Sequence, residues 1–178
     1  GIDLQKRKLL HEFIARIFGN YYDQAQEQFI YVLAYHYNKT DKTKRILQVN
    51  HRAYWKALDD CSPDNIIYYL KILLEKMDWT KENPKNIIEL LGTLAINLQF
   101  VGKLQKSRAY LHKALNLCND NNLINEKAEI YSRMGISYYY VNKIEQALKY
   151  FQHAFALSQE QDIQLKTKIP YYQIGTVF

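Results

Sequence analysis

A pattern of side-chain size recurs at a fixed interval in the second half of the chain, and no other feature limits the fold so much. Counting from Ala128, positions 4, 7, 8, 11, 20, 24 and 27 hold Tyr131, Met134, Gly135, Tyr138, Ala147, Phe151 and Ala154. Counting from Ile88, one interval earlier, the same positions hold Leu91, Leu94, Ala95, Leu98, Ser107, Leu111 and Ala114. From Lys168, one interval later, the pattern begins again with Tyr171, Ile174, Gly175 and Phe178. The three starting points are evenly spaced, at a period of 40. Spacings of three and four within each half put these residues on one helical face. Small residues such as Gly135 and Ala147 suit the place where two helix backbones approach closely, and Tyr131, Tyr138 and Phe151 fill the space beside them. Position 15 is Gly102 in one unit and Asn142 in the next. It falls between the two halves, where a left-handed backbone is commonly needed and Gly, then Asn, serves best.

The unit Ala128–Ala154 resembles the tetratricopeptide repeat, whose pattern is aromatic-x2-Leu-Gly-x2-Tyr, then Ala-x3-Phe and a further small residue. The resemblance implies an all-α fold, a right-handed α-solenoid of antiparallel helix pairs with about nine helices in all. It also implies binding of a protein or peptide without catalysis. The family's usual period is about 34 residues. The extra length here falls at the junctions 118–125 and 158–165, and calls for longer helices or a longer connection. The usual proline near position 32 is replaced by Gln159. Similar lengths recur in signalling ATPases, cell-polarity adaptors and bacterial peptide-sensing regulators.

In that family the first helix of each pair lines a concave groove, with positions 2, 5, 9, 12 and 13 commonly pointing into it. Carried over, this makes Glu89, Gly92, Ile96, Gln99 and Phe100, and then Glu129, Ser132, Ile136, Tyr139 and Tyr140, the groove candidates. Members that grip the carboxylate tails of chaperones carry Lys at position 5 and Asn at position 9. Gly92, Ile96, Ser132 and Ile136 stand in those places, so an apolar helix, an extended apolar peptide or another domain of the same protein is the expected partner.

Upstream of residue 80 no unit keeps the register, although the chain still reads as helical. One amphipathic helix is expected over residues 3–19, with Gly19-Asn20 as its stop, and a second over 22–37. A third, capped by Thr40 or Asp41, runs to about Leu58. Ser62-Pro63 and Asn83-Pro84 mark two further helix starts. The domain expectation is therefore an irregular helical region at 1–80, degenerate or outside the repeat, followed by a repeat array at 81–178. The last unit of that array is incomplete, so the chain reads as a fragment of a longer protein. Residues 10–75, with Leu10-His11, Leu33–Tyr37, Ile46, Ala53 and Ile66–Leu70, are also similar to the helical region beside the tetratricopeptide array of soluble adenylyl cyclase-like and signalling ATPase proteins.

Three prolines and six glycines in 178 residues agree with an all-helical chain. No run of about 20 apolar residues suggests a membrane span. The charged start lacks the features of a secretory signal, and Cys61 and Cys118 lie far apart, which points to a cytoplasmic setting. The five histidines have no metal-ligand spacing, and no phosphate-binding loop or nucleophile motif occurs. No enzyme activity, metal or cofactor is expected within this chain. The net charge of +6 includes a basic run, Lys39, Lys42, Lys44, Arg45, Arg52 and Lys56. Such a run commonly forms a solvated face, and nucleic acid is not the expected partner. The leading expectation is a protein- or peptide-binding scaffold or regulatory segment of a larger signalling protein. The alternatives are a non-catalytic arm of a multidomain nucleotide cyclase or ATPase acting in cis, and a peptide-sensing regulator of a DNA-binding protein.

Overall fold

Helix starts at positions 84, 104, 124 and 144 set the architecture of the second half of the chain. In the computed structural model, which describes residues 3–25 and 29–160, α5 spans Pro84–Phe100 and α6 Leu104–Asp120. They are followed by α7, Ile124–Tyr139, and α8, Ile144–Glu160. The steps from one start to the next are equal, so each repeat is made of two matching halves. The extra length relative to a shorter repeat lies in the helices, of 16 or 17 residues each, because every connection is short. Short connections make neighbours antiparallel. Consecutive helices pack, and α5 also touches α7.

The connections share one closure. Gly102 has φ 73°, Asn122 52° and Asn142 57°. Behind each, two backbone N–H groups reach back across the helix end. Gly102 donates to Gln99 O at 2.9 Å and Lys103 to Leu98 O at 2.7 Å. Asn122 and Leu123, then Asn142 and Lys143, repeat these bonds. This is the Schellman arrangement, which satisfies helix-end carbonyls and turns the chain sharply. Sequence reasoning found Gly102 and Asn142 but passed over Asn122, the matching residue between units.

The repeat positions form the core. Leu91, Leu94, Ala95, Leu98, Ser107, Leu111 and Ala114 are all buried. In the next unit Met134, Gly135, Ala147, Phe151 and Ala154 are buried, while Tyr131 and Tyr138 are half-buried against the α8 cluster. Gly135 faces the Phe151 ring so closely that a Cβ would lie 2.5 Å from Cε1. Tyr171, Ile174, Gly175 and Phe178, and with them the expected ninth helix, lie outside the described residues.

The described residues divide into two compact units, one ending at Asp78 and one beginning at Trp79. In the first, α1 spans Leu4–Ala25, α2 Ile30–Tyr37, α3 Thr43–Asp59 and α4 Pro63–Lys76. All eight described helices are α, and no strand occurs among the described residues. No described helix is long and apolar enough to cross a membrane. Three local expectations are corrected. α1 runs through Gly19-Asn20, because glycine permits a left-handed stop without imposing one; kept helical, it costs only about 1 kcal/mol. The helix expected at 22–37 is divided: residues 22–25 belong to α1, and α2 starts at Ile30. Neither Thr40 nor Asp41 caps α3, whose N-cap is Lys42 without a side-chain bond. The Thr40 hydroxyl instead donates to Tyr37 O at 2.8 Å and accepts from Lys42 N, which closes the turn.

The α3–α4 pair carries a burial pattern that the sequence hides. Counting from Leu47, the seven repeat positions are Asn50, Ala53, Tyr54, Ala57, Ile66, Leu70 and Leu73, and all are buried. Cys61, with φ 48°, closes their turn by the same two bonds, its own N–H to Leu58 O and that of Ser62 to Ala57 O. Leu47 lies one position further from Ile88 than Ile88 does from Ala128, so the register slips by a single place. Tyr54 replaces the small residue, and Asn50 is polar. Asn50 is tolerated because it exchanges amide hydrogen bonds with Asn38 and donates to Ile46 O at 2.7 Å, so its burial leaves no orphan.

Helix α1 is held to α2 through buried Ala15, the Phe18 ring and a histidine pair, with His11 Nδ1 2.9 Å from His36 Nδ1. One hydrogen fits between those nitrogens, so at least one ring must be unprotonated there. Ion pairs Lys8–Asp41 and Lys42–Glu12 flank the contact.

Two outcomes are expected. Gly135→Ala should destabilise by about 1–3 kcal/mol in urea denaturation through overpacking, and Phe151→Leu should recover part of that loss in the double variant. Burial first, and the His11 charge second, hold the His36 pKa below the ordinary 6.5. The unfolded chain therefore takes up the proton more readily. The stability tied to neutral His36 is complete above about 6.5 and drains away as pH falls below it. Parallel denaturations at pH 7.5 and 5 should show a smaller acid loss for His36→Gln than for the parent chain.

Candidate functional site

Because α5 and α7 are one period apart and in contact, they present equivalent positions side by side. Ile96 and Phe100 stand one turn apart on α5, and Ile136 and Tyr140 occupy the same places one period on, at the end of α7. Phe100 is 74% exposed and Tyr140 61%, whereas the isoleucines are half-buried. A groove of about 550 Å³ opens between them, lined by Ile96, Gln99, Phe100, Leu104, Glu129, Arg133, Ile136 and Tyr140.

The groove holds two opposite charges that face each other. Arg133 Nε lies 3.1 Å from Glu129 Oε1 one turn away, with both side chains 14% exposed. A Cβ at Gly92 would run into the Arg133 guanidinium, so the glycine on α5 is what lets this side chain lie flat across it. Gln99 Nε2 donates to Ser107 Oγ at 3.1 Å and to the Arg133 carbonyl at 3.4 Å, tying α5 to both neighbouring helices. The floor is thus cross-linked and close to neutral, under an apolar rim.

Six of the expected groove residues come together here: Ile96, Gln99, Phe100, Glu129, Ile136 and Tyr140. Four others do not line it. Glu89 is exposed near the start of α5. Gly92 is buried beneath Arg133. Ser132 is fully buried and its hydroxyl has no partner, because contact between helices closes over position 5. Tyr139 packs against the Ala147–Phe151–Ala154 cluster without lining the groove, whereas Ile136 touches that cluster and lines the groove as well. Leu104 and Arg133 were missed. Arg133 was legible in part, since Glu129 and Arg133 form an i, i+4 pair and Gly92 offers the space opposite.

Among the described residues no three His, Cys, Asp or Glu side chains converge on a point that could hold a metal. Burial, with Glu126 second, pushes the Cys118 thiol up to about 12, which leaves it protonated and unreactive. The aromatic residues on the far side of α7 serve packing: Tyr138 stacks on Tyr150 at 5.3 Å, with Arg108 4.9 Å from its ring.

Residues 86–160 match the family model of the tetratricopeptide repeat, so this segment, α5 to α8, consists of tetratricopeptide repeats. The match does not reach the region compared above with cyclase-associated helices. Among solved structures the chain is similar to BtubC from P. vanneervenii, with TM-score 0.52 and 14% identity. The likeness covers 91% of this chain and 59% of that one, so this chain spans less than two thirds of its length. At that identity it speaks for the fold alone. No curated protein matches the chain.

Gly92→Ala should behave unlike Gly135→Ala. Only the far end of the Arg133 side chain stands in the way of the new methyl. The gain in helix propensity, up to about 1 kcal/mol, should leave the melting temperature unchanged or raised; a drop would place Arg133 in a rigid role.

Proposed function

We propose that the α5–α7 groove binds an apolar face of a protein or peptide, and that this chain acts as a scaffold or regulatory segment without catalysis. The observation that carries the reading is the duplicated Ile–aromatic pair, Ile96/Phe100 and Ile136/Tyr140, held open over a floor whose charges neutralise each other. Exposed aromatic rings on rigid helices are the residues that anchor interfaces, since they cover much area for little lost entropy. An amphipathic helix with apolar side chains at i, i+3 or i+4 and i+7 suits two such pairs side by side. Arg133 is already engaged with Glu129, which argues against an acidic tail as the main determinant. We read the α3–α4 pair as a further, degenerate unit ahead of the matched repeats. A regulatory role within a larger cytoplasmic signalling protein fits such a scaffold, with another domain of that protein or a separate partner as the ligand.

Peptide selection tests this directly. A displayed library of helical peptides is selected on the full chain and counter-selected on a Phe100→Ala/Tyr140→Ala variant. The expected binders carry two apolar anchors and lose about 5- to 150-fold in affinity for either single truncation, each worth roughly 1–3 kcal/mol. Their affinity should change little between 50 and 500 mM salt. Binders indifferent to both truncations would place recognition elsewhere.

A further inference from the structure

We infer that the solvent face of α3 is a binding surface for single-stranded nucleic acid. Lys44, Arg45, Gln48, His51, Arg52 and Trp55 are all exposed along this helix. Lys44 and Trp55 are about 16 Å apart at the helical rise, and no Asp or Glu occurs from Lys42 to Leu58. Of the carboxylates around it, Asp41 pairs with Lys8 at 2.6 Å, Glu12 with Lys42 at 3.4 Å, and Asp60 with Lys56 and the Tyr31 hydroxyl, while Asp59 stands exposed one turn beyond Trp55 and closes the basic row at that end. Basic side chains also stand in the first turn of α3 with no acidic residue beside them. The helix dipole disfavours cations at that end, so fold stability does not account for their placement.

In sequence these cations lack a recognisable stacking-aromatic module. The structure adds an aromatic platform. Trp55 is 54% exposed, its ring N–H donates to His51 Nε2 at 3.3 Å, and the two rings meet edge to face. With its one polar atom engaged and its position held, the indole offers a flat face to solvent. A row of cations ending at such a face is the combination that single strands use, phosphates on the charges and a base on the ring. An acidic protein would use the charges and leave the indole idle. A membrane surface would call for several apolar side chains, and among the described residues Trp55 is the one large apolar side chain on this face.

Fluorescence anisotropy of the full chain with dye-labelled 12-nucleotide poly(U) and poly(dT) is the test. Neutralising about three phosphates gives a log–log salt slope near −2, so affinity should fall roughly 20-fold between 50 and 200 mM salt. Arg45→Gln/Arg52→Gln should flatten that slope. Trp55→Ala should weaken binding about 5- to 150-fold and leave the circular dichroism unchanged, as fits an exposed side chain. No binding of either strand at 50 mM salt would overturn the proposal. Binding that is indifferent to Trp55→Ala and equally displaced by polyglutamate would mark a general polyanion surface and overturn it too. Preference for phosphatidylserine vesicles over both strands would assign the face to a membrane instead.

Discussion

The close approach of paired helices is the constraint on which the tetratricopeptide segment depends. At Gly135 the backbone of α7 comes within reach of the Phe151 ring on α8, and no side chain fits between them. Ala95 and Ser107, the small residues at the corresponding α5–α6 approach, are fully buried. Contact this tight holds only if each turn delivers its helix at the same angle and height. The repeated left-handed residue with its two backward hydrogen bonds does so. Equal steps along the chain then return the same face of each helix to the same neighbour.

This regularity also makes the groove. Once α5 and α7 are locked one period apart, Ile96/Phe100 and Ile136/Tyr140 become neighbours without being neighbours in sequence. Close packing also decides what is kept out of it. Position 5 is squeezed shut, so Ser132 ends as a buried hydroxyl without a partner, a cost of about 1–3 kcal/mol that the surrounding packing offsets.

The first unit solves the same problem with different chemistry. The α3–α4 pair buries the same positions as the later repeats but admits Tyr54 and a hydrogen-bonded Asn50. At α1–α2 a pair of imidazoles accompanies Ala15 and Phe18, and two ion pairs tie α1 to the turn between α2 and α3. Polar contacts of that kind respond to pH and salt, whereas the apolar core of α5–α8 does not.

The periodic core was legible in the sequence because close packing writes itself in side-chain size. The spacing of Leu91, Ala95, Met134, Gly135 and Phe151 marked the buried faces, and Gly102 and Asn142 marked two turns. Turn chemistry is local and packing faces are periodic, so one chain of letters suffices for both. Residues 47–73 fit the pattern only loosely in sequence, because the burial register survives there with a slip of one place while the residue sizes do not. The open surfaces depended on the third dimension. Positions 5 and 9 look alike along a helix, and only the neighbouring helices decide that Ser132 is fully covered while Ile136 stays half-open to the groove. In the same way Gly92 acquires its meaning from Arg133, which belongs to a different helix two elements further along the chain and lies across it in space.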